Sequence, residues 1–102
     1  MMQLELTETN GRKEAILKIS REFDYLGVPE ARKALASLKN EHAEVIVDMA
    51  DTHFIDSSGL GFLLMVHCDL PGESQSLRII NCQPHIKRVF ERAQFQQIMN
   101  IQ

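Results

Sequence analysis

Between Ala43 and Met49 the chain carries Val45-Ile46-Val47 with no polar residue among them. A continuous β-branched run of this kind predicts a central strand covered on both faces, the pattern of a parallel sheet. Helical spacing lies on either side of it. Upstream, Val28, Ala31, Leu35 and Leu38 share one helical face with Ala34 beside them, while Glu30, Arg32, Lys33 and Lys39 take the other. Pro29 suits the first turn of that helix, where its missing N–H is no loss. Downstream, roughly Ser58 to Cys68 reads as an apolar helix and Leu77 to Asn81 as a further buried strand. Pro84 then opens a helix with Ile86, Val89, Phe90 and Ala93 at i, i+3, i+4 and i+7. Repeated strand–helix–strand units require a largely parallel sheet with right-handed crossovers.

The two ends complete the order. Gln3 to Glu8 alternates with Leu4 and Leu6 on one face, and Glu14 to Ser20 places Ala15, Leu17 and Ile19 on one face. Asn10-Gly11 between them supplies the positive φ angles of a tight hairpin turn. Phe95 to Ile101 is expected to form a short edge strand or a helical turn. The expectation is one α/β domain over residues 1–102, a mixed but mostly parallel sheet with helices packed against it. Its order is ββαβαβα with a short C-terminal tail. No internal repeat, low-complexity tract or linker interrupts it.

A domain of 102 residues encloses one core and leaves little room for a deep multi-substrate cleft, which favours a binding or regulatory role. The formal charge of −3, with basic residues only in short pairs (Arg12-Lys13, Arg32-Lys33, Lys87-Arg88), argues against direct nucleic-acid binding. Those pairs read as solvated surface. Cys68 and Cys82 form no C-x-x-C motif and are expected to be reduced, partly buried thiols. No signal peptide and no apolar run long enough to span a membrane is seen, so a cytoplasmic protein without membrane attachment is expected.

The chemistry concentrates in Asp56-Ser57-Ser58-Gly59-Leu60-Gly61, where a strand and loop feed a helix N-terminus. Such a terminus exposes free N–H groups and the positive end of the helix dipole, and Asp and Ser are its preferred caps. A simple structural reading makes Ser57 the cap and lets Gly59 and Gly61 relieve crowding. The helix that follows adds more. Leu60, Phe62, Leu63, Leu64, Met65 and Val66 make it apolar nearly all round, so it is either fully buried or presents part of its surface to a partner. A hydroxyl at the mouth of that surface makes an effective switch.

The stretch Phe54-Ile55-Asp56-Ser57-Ser58-Gly59-Leu60-Gly61 closely resembles the signature of the STAS-domain anti-sigma factor antagonists. Glu22-Phe23-Asp24 is similar to that family's acidic turn, Val45-Ile46-Val47-Asp48-Met49 to its central strand, and Pro84 to Phe90 to the opening of its later helix. The resemblance implies a STAS-like fold and phosphorylation at Ser57, with Ser58 as the alternative acceptor. It also implies a partner surface containing Asp24, Asp56, Ser57, Ser58, Gly59, Leu60 and Gly61. The implied partners are a GHKL-type serine kinase that is also an anti-sigma factor, and a metal-dependent, PP2C-type phosphatase that reverses the modification. The non-phosphorylated form would bind the kinase and so release a sigma factor. A monomer with no cofactor and no metal is expected. The sequence departs from the family pattern at Ser20, where relatives often have Gly, and in the acidic connection from Asp69 to Ser76.

Other readings fit less of the chain. A nucleophilic triad of Ser57, Asp56 and one of His42, His53, His67 or His85 lacks the G-x-S-x-G elbow, so no enzymatic activity is expected. Asp48 and Asp51 suggest a phospho-aspartate receiver, but the acidic pair and the lysine that such a site needs are missing; Asp48 reads as a loop-organising residue. A STAS-like scaffold or accessory subunit, regulating another signalling or transport protein without a sigma factor, is the alternative.

Overall fold

The computed structural model describes residues 2–36, 44–69 and 77–102. Strands β1 (Gln3–Thr9) and β2 (Arg12–Lys18) pair antiparallel from Gln3 opposite Lys18 to Thr9 opposite Arg12. At the tip of this hairpin Asn10 and Gly11 have φ of 53° and 77°, the left-handed pair that a two-residue turn needs. Helix α1 (Val28–Ala36) leads towards β4 (Glu44–Asp48), which lies parallel to β2. Helix α2 (Ser57–Asp69), β6 (Leu77–Ile80) and helix α3 (Pro84–Arg92) follow. With β7 (Asn100–Ile101) at the far edge, the sheet order is β1-β2-β4-β6-β7, and only the first pair is antiparallel. The tail forms both structures that the sequence left open, a 3₁₀ turn at Phe95–Gln97 and an edge strand β7 at Asn100–Ile101.

Two short strands add to the expected order. Strands β3 (Glu22–Phe23) and β5 (Phe54–Ile55) pair in parallel as a separate ribbon. Two residues each are too few to leave a period in the sequence. Their position follows from the main sheet, because β2 and β4 are parallel neighbours and their C-terminal exits leave side by side.

All three helices bury the same face of the sheet. Leu17, Val45, Val47, Leu77 and Ile79 share one core with Ala31 of α1, Phe62 and Leu63 of α2, and Ile86 and Phe90 of α3. Ile46 points the other way; it is buried yet stands outside that core. Its neighbours in register are Ile16 and Arg78. β4 is therefore buried on both faces, as the Val45-Ile46-Val47 run leads one to expect, although none of the described helices lies over the Ile46 side. Arg78 Nε lies 3.2 Å from Glu44 Oε1 on that face, an ion pair by distance that lacks hydrogen-bond alignment. The alternation in β1 is also only half used, since Leu4 packs on the core while Leu6 is 62% exposed. Leu38 lies outside the described residues.

Helix α3 ends with Gln94 in the left-handed region at φ 62°. Its N–H bonds the Glu91 carbonyl at 3.0 Å, and the Ala93 N–H bonds that of Val89 at 3.1 Å. This is the helix-terminal position that glycine fills most often, because a Cβ is strained there. Gln94→Gly is expected to stabilise the domain by about 0.5–1 kcal/mol and to raise Tm by a few degrees in a thermal melt.

Both cysteines are free. Cys82 is half-buried, and burial pushes its thiol up to about 11, with Lys87 pulling weakly the other way. Cys68 is exposed instead of partly buried. Since the thiolate is the nucleophile, iodoacetamide at pH 8 is expected to alkylate Cys68 at least about tenfold faster than Cys82. Mass spectrometry of the partly labelled chain reads the order directly.

Candidate functional site

The site is built where the β3–β5 ribbon meets two helix N-termini. Segments 19–23 and 48–56 run alongside one another and are hydrogen-bonded along their length. The Ile19 N–H donates to Asp48 O at 3.0 Å, the His53 N–H to Arg21 O at 2.8 Å, and the Asp56 N–H to Phe23 O at 3.3 Å. Thr52, fully buried, donates its hydroxyl to the Ser20 carbonyl at 3.0 Å. This lacing delivers Asp24 and Asp56, 32 residues apart in sequence, to neighbouring turns.

One aspartate organises the turn before a helix and the other caps a helix. Asp24 Oδ1 accepts from the N–H groups of Leu26 (3.0 Å) and Gly27 (3.3 Å) in the turn that leads into α1. Asp56 Oδ1 accepts from the Gly59 N–H at 2.9 Å, which makes Asp56 the N-cap of α2. Its second oxygen, Oδ2, accepts from the Tyr25 N–H at 3.1 Å and so ties the two turns together. The cap is thus Asp56, and Ser57 occupies the first helical position. Ser57 and Ser58 are both exposed. No acceptor for either backbone N–H is found among the described residues.

Gly59 is where the ribbon and the helix touch. A Cβ there would lie 2.6 Å from Phe23 O, 2.9 Å from Ile55 Cγ1 and 3.0 Å from Phe23 Cδ2. Gly61 differs, because a Cβ there meets nothing within 4 Å. The expectation that both glycines relieve crowding therefore holds within the chain for Gly59 alone.

Beneath the site Phe23 is fully buried and meets Phe62 edge to face, with ring centroids 5.8 Å apart. Above it the apolar character reaches the surface. Tyr25 and Leu26 are 65% and 71% exposed, Phe54 50%, and Leu64 and Met65 of α2 are also open. On α2 the residues Ser57, Gly61, Leu64 and Cys68 repeat at i, i+4, i+7 and i+11, one exposed stripe beginning at Ser57. Leu60 itself is half-buried against the core, so its contribution to an outer surface is partial. Tyr25, Leu26 and Phe54 were missed in the sequence because isolated aromatic or aliphatic residues in turns have no periodicity to announce them.

The His85 Nε2–H donates to the His53 carbonyl at 2.7 Å, and the two rings stack with centroids 6.1 Å apart. Both oxygens of Asp56 are taken by backbone N–H groups. His42 lies outside the described residues. Asp48 Oδ1 accepts from the Ala50 N–H (3.0 Å) and from Asn81 Nδ2 (3.2 Å), as a loop-organising residue should. No group of three or more His, Cys, Asp or Glu placed to hold a metal occurs among the described residues. No helix there is long and apolar enough to cross a membrane.

Compared with known families, residues 3–102 match the model of the STAS domain. The chain belongs to the STAS domain family. Its relatives include the anti-sigma-B factor antagonist of Staphylococcus aureus, 25% identical over 101 residues, covering 98% of this chain and 94% of that one. A STAS-domain containing protein of Pseudomonas aeruginosa is 26% identical over 89 residues, 87% of this chain and 88% of that one. Among solved structures, an anti-sigma factor antagonist from Mycobacterium paratuberculosis superposes with a TM-score of 0.82 at 16% identity, covering 99% of this chain and 85% of that one. The unphosphorylated form of the anti-sigma factor antagonist SpoIIAA gives 0.71 at 20% identity, covering 98% and 87%. The STAS fold expected from the sequence is therefore the fold found, a mixed, mostly parallel sheet backed by three helices.

Proposed function

We propose that this STAS domain is an anti-sigma factor antagonist switched by phosphorylation of Ser57. One observation carries the reading: two exposed serines stand at an aspartate-capped helix N-terminus that opens onto an exposed apolar stripe. In its unmodified form the protein docks a GHKL-type serine kinase that is also an anti-sigma factor, and so frees the sigma factor. The docking surface combines the α2 start (Asp56, Ser57, Ser58, Gly59, Leu60, Gly61) with the turn organised by Asp24. A phosphate on Ser57 ends the complex, and a PP2C-type phosphatase restores it. The protein acts by binding, as a cytoplasmic monomer, with no catalytic step, cofactor or metal of its own.

Gly61 supports a docking role for this face. A glycine inside a helix costs about 1 kcal/mol relative to alanine, and no contact with a described residue needs its missing Cβ. A bare backbone on an exposed stripe is suited to close approach by another protein. SpoIIAA supports the idea that the phosphate works without unfolding. Its phosphorylated form matches this chain with a TM-score of 0.68 and its unphosphorylated form with 0.71, so that relative keeps the fold in both states.

Incubation with a GHKL-type serine kinase from the same organism, followed by phosphopeptide mapping, tests the acceptor. Phosphate is expected on Ser57; label confined to Ser58 would overturn the assignment. A second reading rests on the Pseudomonas aeruginosa relative, whose name specifies a STAS domain and no sigma pathway. In that reading the same face serves a scaffold or accessory subunit of another signalling or transport protein.

A further inference from the structure

A groove of about 610 Å³ runs between α1 and α2, bordered by Val28, Arg32 and Lys33 on one side and by Ser58, Phe62 and Met65 on the other. Its walls are apolar apart from the serine, a tyrosine and the two cations. Among the described residues no carboxylate lines it, although the chain as a whole is acidic at −3. Neither Arg32 nor Lys33 makes an ion pair among the described residues. Both are exposed, as the sequence places them, and they border the groove because Pro29, Arg32, Lys33 and Ala36 recur at helical spacing along it.

An open apolar trough between two helices, edged by two exposed cations, has the form that receives an amphipathic helix laid along it. The charge sets the occupant: carboxylates would meet Arg32 and Lys33, and ammonium groups would be repelled. We infer that this groove is a recognition subsite of the docking surface and takes an acidic amphipathic helical segment of the partner protein. Apolar side chains of that segment sit over Phe62 and Met65, and its carboxylates pair with Arg32 and Lys33. The inference rests on the docking reading above and adds the chemistry of the bound segment. It also gives the switch a direct antagonist, because a phosphate on Ser57, adjacent to the groove-lining Ser58, brings a dianion close to an acidic guest.

The test uses the full chain, ¹⁵N-labelled, and two synthetic helical peptides with the same leucine stripe. One carries glutamates and the other lysines beside the stripe. The glutamate peptide is expected to shift the amides of Arg32, Ala36, Ser58 and Met65 saturably, and to bind at least about tenfold more tightly than the lysine peptide. The Arg32→Glu/Lys33→Glu double variant is expected to reverse that order, and the single Arg32→Gln variant to weaken the glutamate peptide without loss of fold. Equal affinity of the two peptides, or shifts confined to residues outside the groove, would overturn the inference. No kinase and no modified serine enter this experiment. Its failure therefore leaves the Ser57 switch standing, and loss of Ser57 switching alongside intact peptide discrimination counts only against the switch.

Discussion

Gly59→Ala is expected to destabilise the domain by about 2–3 kcal/mol, the upper part of the range for inserting a methyl group into a packed site. The nearest obstacle is the Phe23 carbonyl, 2.6 Å from the new Cβ. That oxygen cannot rotate away as a side chain tip could, and it also accepts the Asp56 N–H. Moving it would loosen the β3–β5 ribbon that brings Asp24 and Asp56 together. The loss is a large share of the roughly 5–15 kcal/mol by which domains of this size are stable. Gly61→Ala is the matched control. It makes the same chemical change in the same helix, but meets nothing within 4 Å and gains helix propensity, so it should stabilise by up to about 1 kcal/mol. Urea unfolding of both variants checks the pair; equal and opposite shifts of the midpoint are not required, but opposite signs are.

Ser57→Asp is expected to leave the fold intact while weakening the kinase complex by about 100-fold or more. The exposed first helical position tolerates a carboxylate, because the helix dipole there favours negative charge by about 0.3–1 kcal/mol. The neighbouring Asp56 carboxylate already occupies that field and bonds Gly59 and Tyr25, so like-charge repulsion offsets much of the gain. Folding stability should change little. Binding is different. Burying the new charge against a partner that presents apolar or acidic groups costs several kcal/mol when nothing compensates it, and about 1.4 kcal/mol is tenfold in affinity. A phosphate, with about −1.5 to −2 charges at pH 7, should act in the same direction and more strongly. Circular dichroism of the variant should match wild type; a collapsed spectrum would assign the effect to unfolding instead.

The fold was legible where side chains repeat over several turns or pleats. The Val45-Ile46-Val47 run, the α3 pattern from Ile86 to Ala93 and the Asn10-Gly11 turn each specify an element by local physics, and each element formed. Less was legible where structure depends on long-range pairing. The β3–β5 ribbon exists because β2 and β4 are neighbours, which no window of sequence around Glu22 or Phe54 contains. The cap was displaced by one residue for a similar reason. Asp56 and Ser57 are both good caps by type, and the residue that caps, Asp56, also holds the Tyr25 N–H, which only the assembled fold brings within its reach. Ile46 shows the same limit in the sheet, since a β-branched run reports burial without saying whether a helix or flanking side chains provide it.

The central claim is that Ser57 controls a docking surface without controlling the fold. Isothermal titration of the GHKL-type kinase with wild type, Ser57→Ala and Ser57→Asp tests it most directly. The alanine form should bind with wild-type affinity, and the aspartate form at least about 100-fold more weakly. Equal affinity of the alanine and aspartate forms would contradict it.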